Sequence, residues 1–152
     1  MVFDLSVIII VKNEQENIRR ALESVRWADE IILVDSGSTD QTLTIAREYT
    51  DTIYAQDWLG YGKQKQFALS KASKKWVLSL DADEEVSAEL SQEIQSICSS
   101  DTQIEAYKIN RKSFFGLKMI QYGDWKDDAP TRLFKREKSR FSDEVVHESI
   151  VV

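Results

Sequence analysis

Leu5-Ser6-Val7-Ile8-Ile9-Ile10-Val11-Lys12-Asn13-Glu14 is the stretch that decides the fold. Its first seven residues are a nearly unbroken aliphatic run, the signature of a strand buried on both faces. Three polar residues end it. Ile18, Ala21, Leu22 and Val25 then recur at helical spacing, so a helix packs one side on the strand. Asn13 followed three residues on by Glu16 has the form of a capping box.

The same unit repeats outward from there. Residues 31–34 read as a second buried strand, and Ser38 with Gln41 as a capping box opening a helix to Tyr49. Residues 52–55 read as a short third strand. The Gly60-Tyr61-Gly62 turn leads to a helix over 63–70, and residues 76–80 read as a fourth strand. Ser87 caps a helix carrying Leu90, Ile94 and Ile97. Alternating strands and helices predict an α/β fold with a mostly parallel sheet and helices on both faces. Later, residues 106–110, 131–135 and 145–152 read as strands without helices between them, so a mixed or antiparallel C-terminal part is expected. Ile150-Val151-Val152 closes the sequence inside a strand pattern, and a longer protein is expected.

Composition narrows the function. The 152 residues are 42% hydrophobic and 30% charged, a folding composition for one domain. Twenty-six acidic residues against twenty basic ones leave a net charge of −6, which disfavours nucleic acid as a partner. Cys98 is the single cysteine, so no internal disulfide forms. No apolar run approaches the roughly 20 residues of a membrane span. No basic segment precedes an apolar stretch at the start, so no signal peptide is read and a cytoplasmic address is expected.

In open parallel sheets ligands bind beyond the carboxyl ends of the strands. Lys12-Asn13-Glu14, Asp35-Ser36-Gly37-Ser38-Thr39-Asp40 and Asp81-Ala82-Asp83-Glu84-Glu85 follow the first, second and fourth strands. Acids therefore gather at one edge, where hard oxygen ligands suit Mg²⁺ or Mn²⁺. The alternative for each is an ordinary cap or solvated turn. Lys63 and Lys65, at the start of a helix, are placed to meet an anion or to remain solvated.

The three runs, in this order and spacing, resemble family 2 glycosyltransferases of the GT-A fold. Trp27-Ala28-Asp29-Glu30, Arg132-Leu133-Phe134 and Val146-His147-Glu148 narrow the resemblance to bacterial lipopolysaccharide core β-glucosyltransferases. It covers nearly the whole chain, read as one GT-A domain over residues 1–152 that lacks a C-terminal segment of longer members. The resemblance implies that Val11, Asn13 and Glu14 hold base and ribose, that Asp35 bonds uracil or ribose, and that Asp81 faces the ribose, with Ala82 beside it in the nucleotide-sugar site. It implies that Asp83 binds the metal on the diphosphate; the diphosphate is the anion that Lys63 and Lys65 are placed to meet from their helix start. Ser36 departs from the second aspartate of many members, at a turn position.

Inverting transfer needs a base for the acceptor hydroxyl. Asp124, Asp127, Asp128 and Glu148 are the candidates. The family pattern, an acid four residues before Arg132, selects Asp128, with Asp127 its neighbour and competitor. The resemblance also offers His147, the only histidine, as a metal ligand, with Glu148 as its support or an alternative base and Glu85 as a weaker ligand. The implied reaction moves a hexose, glucose by resemblance, from a UDP-sugar to a lipopolysaccharide inner-core acceptor. Trp58 and Trp125 are candidates for stacking on sugar, whereas Trp27 and Trp76 read as structural. Lys135, Arg136, Lys138 and Arg140 read as a solvated hairpin, or as a contact for an anionic lipid-linked acceptor at the inner membrane. A nucleotidyltransferase is disfavoured because Lys12-Asn13-Glu14 stands where a glycine-rich loop would be needed. A phosphatase with an Asp-x-Asp would carry it after the first strand, and the glycine fingerprint of dinucleotide enzymes is missing. A truncated, inactive nucleotide-binding domain is the non-enzymatic alternative.

Overall fold

The structure, a computed structural model, describes the backbone of residues 2–112, 116–119, 131–141 and 150–151, and side chains within 2–109 and 131–141. The strand β1 (Leu5–Val11) lies at the centre. It pairs in parallel with β2 (Glu30–Asp35) on one side, Val11 opposite Asp35, and with β4 (Trp76–Ser79) on the other, Ile8 opposite Ser79. The short strand β3 (Ile53–Ala55) extends the sheet in parallel beyond β2. Beyond β4 the sheet turns antiparallel through β7 (Thr131–Lys135), β5 (Ala106–Lys112) and β6 (Gly116–Met119). The order is β3-β2-β1-β4-β7-β5-β6, the mixed sheet that the sequence predicts. A small antiparallel pair, β8 (Arg140–Phe141) with β9 (Ile150–Val151), lies outside it. Residues 145–149 of the last expected strand lie outside the described residues.

The period of two in β1 builds two cores. Leu5, Val7, Ile9 and Val11 join Ile18 and Leu22 of α1 (Ile18–Ser24) and Leu90 and Ile94 of α4 (Ala88–Cys98). Ile8 faces the other way, with Ile32, Val34, Val77, Phe134 and Phe141, against Ala68 and Leu69 of α3 (Tyr61–Lys71). Ala46 of α2 (Thr42–Ala46) belongs to the first core. Each fully buried aliphatic or aromatic side chain contributes about 1.5–3 kcal/mol by leaving water. Trp76 is buried, and Trp27 packs edge-on against Phe3 at 5.7 Å, so both are structural as read. No helix among the described residues is long and apolar enough to cross a membrane.

Helix starts depart from the sequence reading in three places. Neither Asn13 nor Ser38 caps a helix. Both side chains are engaged in bonds between the first two loops, and α1 opens instead on a turn in which the Asn17 and Ile18 N–H groups donate to Glu14 O. At α2 it is Asp40 Oδ1 that accepts from Thr42 N, at 2.9 Å. The α-helix ends at Ala46, and residues 47–49 continue as tight turns. The helix α3 begins two residues early because Gly60, at φ 98°, takes the backbone turn that a side chain would strain. Ser87 caps α4 as read, its Oγ accepting from Leu90 N at 3.1 Å.

The basic stretch is likewise not wholly solvated. Lys135 Nζ donates to Thr102 O at 2.9 Å and lies over the Trp76 ring, while Arg136 Nε donates to Lys74 O at 2.9 Å. The helical turn Arg136–Lys138 follows, and only Lys138 and Arg140 of the four are exposed. The two cations thus fasten β7 and the turn after it to the loops at Thr102 and Lys74.

Candidate active site at the carboxyl edge of the sheet

The chain moves outward from β1 to β2 and β3, then returns through α3 to β4 on the opposite side of β1. The order therefore reverses at β1, which opens a crevice at the carboxyl ends of β1 and its two neighbours. Three polar loops leave the sheet along this edge, after β1, β2 and β4. With strands about 4.8 Å apart, the ends of β2 and β4 are separated by about 10 Å, the dimension of a small ligand.

The loops after β1 and β2 are bonded into one unit. Asp35, buried at the end of β2, accepts from Gly37 N at 3.0 Å, from Ser38 N at 3.0 Å and from Ser38 Oγ. Asn13, in the left-handed region at φ 53°, donates its N–H to Ser38 Oγ at 2.8 Å, and its Oδ1 accepts from Thr39 N at 2.8 Å. Glu14 N donates to Thr42 Oγ1 at 2.8 Å and Gln15 N to Asp40 Oδ2 at 3.3 Å. Partial desolvation would raise the Asp40 carboxyl, but the bonds from Thr42 and Gln15 outweigh it and hold the group below its ordinary range.

A hollow of about 450 Å³ lies beside this unit, lined by Ile10, Val11, Lys12, Glu14, Ser36, Trp58 and Tyr61. Trp58 and Tyr61 are half-exposed at its edge and meet edge-to-face at 4.8 Å. Gln64, fully buried, clips their loop in place: its Oε1 accepts from Leu59 N at 3.1 Å and its Nε2 donates to Gln56 O at 3.0 Å. Asp35 lines a separate hollow of about 270 Å³ with Leu43, Arg47, Asp51 and Tyr54. Val11 and Glu14 on the one hand and Asp35 on the other thus line different hollows, and Asn13, Asp81 and Asp83 line neither of these two.

The third loop is held from below by ions. Asp81 receives Lys65 Nζ at 3.4 Å on one oxygen and Arg132 Nη2 at 3.2 Å on the other. Arg132 Nη2 also reaches Glu84 Oε2 at 3.3 Å, and Glu84 Oε1 accepts from Asp81 N at 2.9 Å. Lys65, Glu84 and Arg132 are buried, and so is Ala82, whereas Asp83 is exposed and Glu85 is half-buried. The two lysines read together thus part company, Lys65 paired inside and Lys63 exposed. Asp124, Trp125, Asp127, Asp128, His147 and Glu148 lie outside the described residues.

The sequence marks Glu84 only as one of a run of acids and Arg132 only as part of a motif, and gives no role to Gln64 or Tyr61. One signal was available: an arginine before Leu133 and Phe134 in a buried strand needs acids to receive it.

Among the described residues no group of three or more His, Cys, Asp or Glu forms a ready metal cage. Asp83 nevertheless presents an exposed carboxylate, and Asp81 is already neutralised by two protein cations. That donor set fits Mg²⁺ or Mn²⁺, which are held through one or two carboxylates while water and phosphate oxygens complete the shell.

Known proteins share this architecture. The crystal structure of TarS of S. aureus superposes with a TM-score of 0.68 at 22% identity, covering 95% of this chain and 51% of that one. The same protein in complex with UDP-GlcNAc matches at 29% identity with a TM-score of 0.51, over 63% of this chain and 30% of that one. An uncharacterized glycosyltransferase of Rickettsia prowazekii is 40% identical, covering 97% of this chain and 52% of that protein. The lipopolysaccharide core biosynthesis glycosyltransferase LpsC of Rhizobium meliloti is 32% identical, covering 97% of this chain and 57% of that protein. The chain spans about half the length of the curated relatives it matches. The model of Glycosyl transferase family 2 matches residues 6–148. With its GT-A sheet and its acidic loops ranged along one edge, the chain belongs to glycosyl transferase family 2.

Proposed function

We propose that this chain is the donor-binding and catalytic domain of an inverting glycosyltransferase. It transfers a hexose, glucose, from a UDP-sugar to a lipopolysaccharide core acceptor on the cytoplasmic side of the inner membrane. One observation carries the reading: the strand order β2-β1-β4 sets the loops bearing Asp35, Asn13 and Asp83 side by side at a topological switch point. The relative named for lipopolysaccharide core biosynthesis supports the acceptor class, and the UDP-GlcNAc complex of TarS supports the donor class.

In this reading Val11, Asn13, Glu14 and Asp35 receive base and ribose, with Asp81 and Ala82 beside the ribose and Lys63 and Lys65 near the diphosphate. Asp83, with His147, would hold Mg²⁺ or Mn²⁺. Such an ion supplies positive charge where the departing diphosphate gains negative charge. Asp128 takes the acceptor hydroxyl proton, with Asp127 and Glu148 as the other acids in reach by sequence. Trp58, exposed at the rim of the larger hollow, offers an aromatic face to a ring.

Calorimetry with UDP and Mn²⁺ tests the donor site. Asp83→Ala is expected to weaken metal-dependent UDP binding at least tenfold, which is about 1.4 kcal/mol. Equal affinity in the two proteins would remove Asp83 from the site. A second reading, a UDP-binding domain without transferase activity of its own, draws on the chain's spanning half the length of its relatives. Thermal stabilisation by UDP without sugar transfer or UDP-glucose hydrolysis would favour it.

A further inference from the structure

We infer that Arg132 is a positioning residue for the Asp83 loop: it splints residues 79–84 from the neighbouring strand so that Asp83 is presented outward. The inference rests on the reading of Asp83 as a ligand of the donor's metal.

The guanidinium makes three bonds into this loop. Nη1 donates to Ser79 O at 3.3 Å, and Nη2 to Asp81 Oδ2 at 3.2 Å and to Glu84 Oε2 at 3.3 Å. Glu84 returns a bond to the loop backbone at Asp81 N, and Glu84 N donates to Asp81 O at 3.0 Å. Lys65 fixes the second oxygen of Asp81 from α3. Ser79 and Glu84 are buried and Asp81 is held by two cations, while Asp83 is the exposed acid of the loop. Arg132 comes from β7, which pairs antiparallel with β4, so the splint crosses from one strand to the loop that ends its neighbour.

Stability alone is a poor reason for this network. The Arg132 and Glu84 side chains are only 5% and 6% exposed. Taking such charges out of water is costly, and well-packed apolar residues commonly serve the fold as well or better. What apolar residues cannot do is fix three polar points of one turn at once. A loop released from these points presents Asp83 correctly for only a fraction of the time, and apparent affinity falls by that fraction. Arg132 also follows Asp128 by four residues, so the same short segment carries the expected base and the splint.

The test measures UDP affinity in EDTA and in Mn²⁺ for the 152-residue chain and two variants. Arg132→Met/Glu84→Gln removes the charges of Arg132 and Glu84 together, and Arg132→Lys keeps the charge but loses the fork. Circular dichroism and thermal melting establish which variants are folded, and Arg132→Lys decides alone if the double variant is not. The expected result is UDP affinity in EDTA within twofold of wild type, with the gain on adding Mn²⁺ reduced at least tenfold in the double variant. Arg132→Lys should fall between. A purely structural role would shift the melting temperature and leave the Mn²⁺ gain intact, and that result in a folded variant overturns the inference while the donor site stands. A wild-type chain that gains nothing from Mn²⁺ overturns both.

Discussion

Asn13 and Ser38 bond across the gap between the first two strand ends: the Asn13 N–H donates to Ser38 Oγ at 2.8 Å, and Ser38 Oγ in turn donates to Asp35. Through this relay the loop after β1 is registered against the buried acid of β2. Asn13 holds a left-handed backbone to do so, at φ 53°, a conformation that asparagine tolerates better than most residues.

Two substitutions at Asn13 should therefore separate backbone strain from the lost side-chain bond. Asn13→Gly keeps access to φ 53° and loses the bond to Thr39 N. Asn13→Ala loses that bond and adds strain of about 1 kcal/mol. Urea unfolding should rank wild type above Gly, and Gly above Ala, with Ala lower than wild type by about 1–3 kcal/mol. Alanine as stable as glycine would show that the left-handed turn relaxes at no cost.

Gln64 makes a second, local prediction. Its amide holds both Leu59 N and Gln56 O. Gln64→Leu keeps the bulk but strands those two backbone groups, at a cost of about 1–3 kcal/mol. The loop bearing Trp58, Leu59 and Tyr61 should then open more often, and chymotrypsin should cut there faster at a temperature where the variant is still folded. An unchanged cleavage rate would mean that the loop is held by something other than this clip.

The difference between what the sequence discloses and what it hides is physical. The run from Leu5 to Val11 and the apolar spacing of α1 and α4 are period signals, local by nature, and they give the α/β order, the parallel sheet and the edge where the acids meet. The pairing of Asn13 with Ser38 is not local. It diverts two good capping residues to a partner about 25 positions away, and the capping boxes read at Glu16 and Gln41 fail for that reason. Arg132 is harder still, because its acids lie 48 and 51 positions back and meet it only once β7 has docked antiparallel on β4. Short motifs locate the Asp81-Ala82-Asp83 run, but which of its acids faces inward is set by those distant cations.

Glu30 gives the fold a dependence on acid. Burial would raise its carboxyl, but bonds from Ser6 Oγ at 2.6 Å and from Ser73 N and Oγ, both at 2.9 Å, hold it below the ordinary glutamate value of 4.5. A depressed folded value means the contribution is complete above 4.5 and is lost as pH falls through the folded value. Glu30→Gln should lower the melting temperature at neutral pH, and the gap to wild type should close as pH drops below 4.5. A gap that stays constant down to pH 3 would show that the charge contributes nothing.

Cys98 supplies the last prediction. It ends α4, half-buried against the first core, where desolvation foremost, then the carboxylates of Asp29 and Asp4, push its thiol up to about 12. Only the thiolate attacks an alkylating reagent, so at pH 8 the folded chain should react on the order of a thousandfold more slowly than a free cysteine. Reaction should then follow opening of the α4 end rather than direct attack. Iodoacetamide labelling across a urea series checks this: the rate should climb steeply with denaturant and reach that of the unfolded chain at the unfolding transition. Labelling in buffer as fast as in concentrated urea would mean that Cys98 stands in water, and the packing of α4 on β1 and β4 at that end would have to be redrawn.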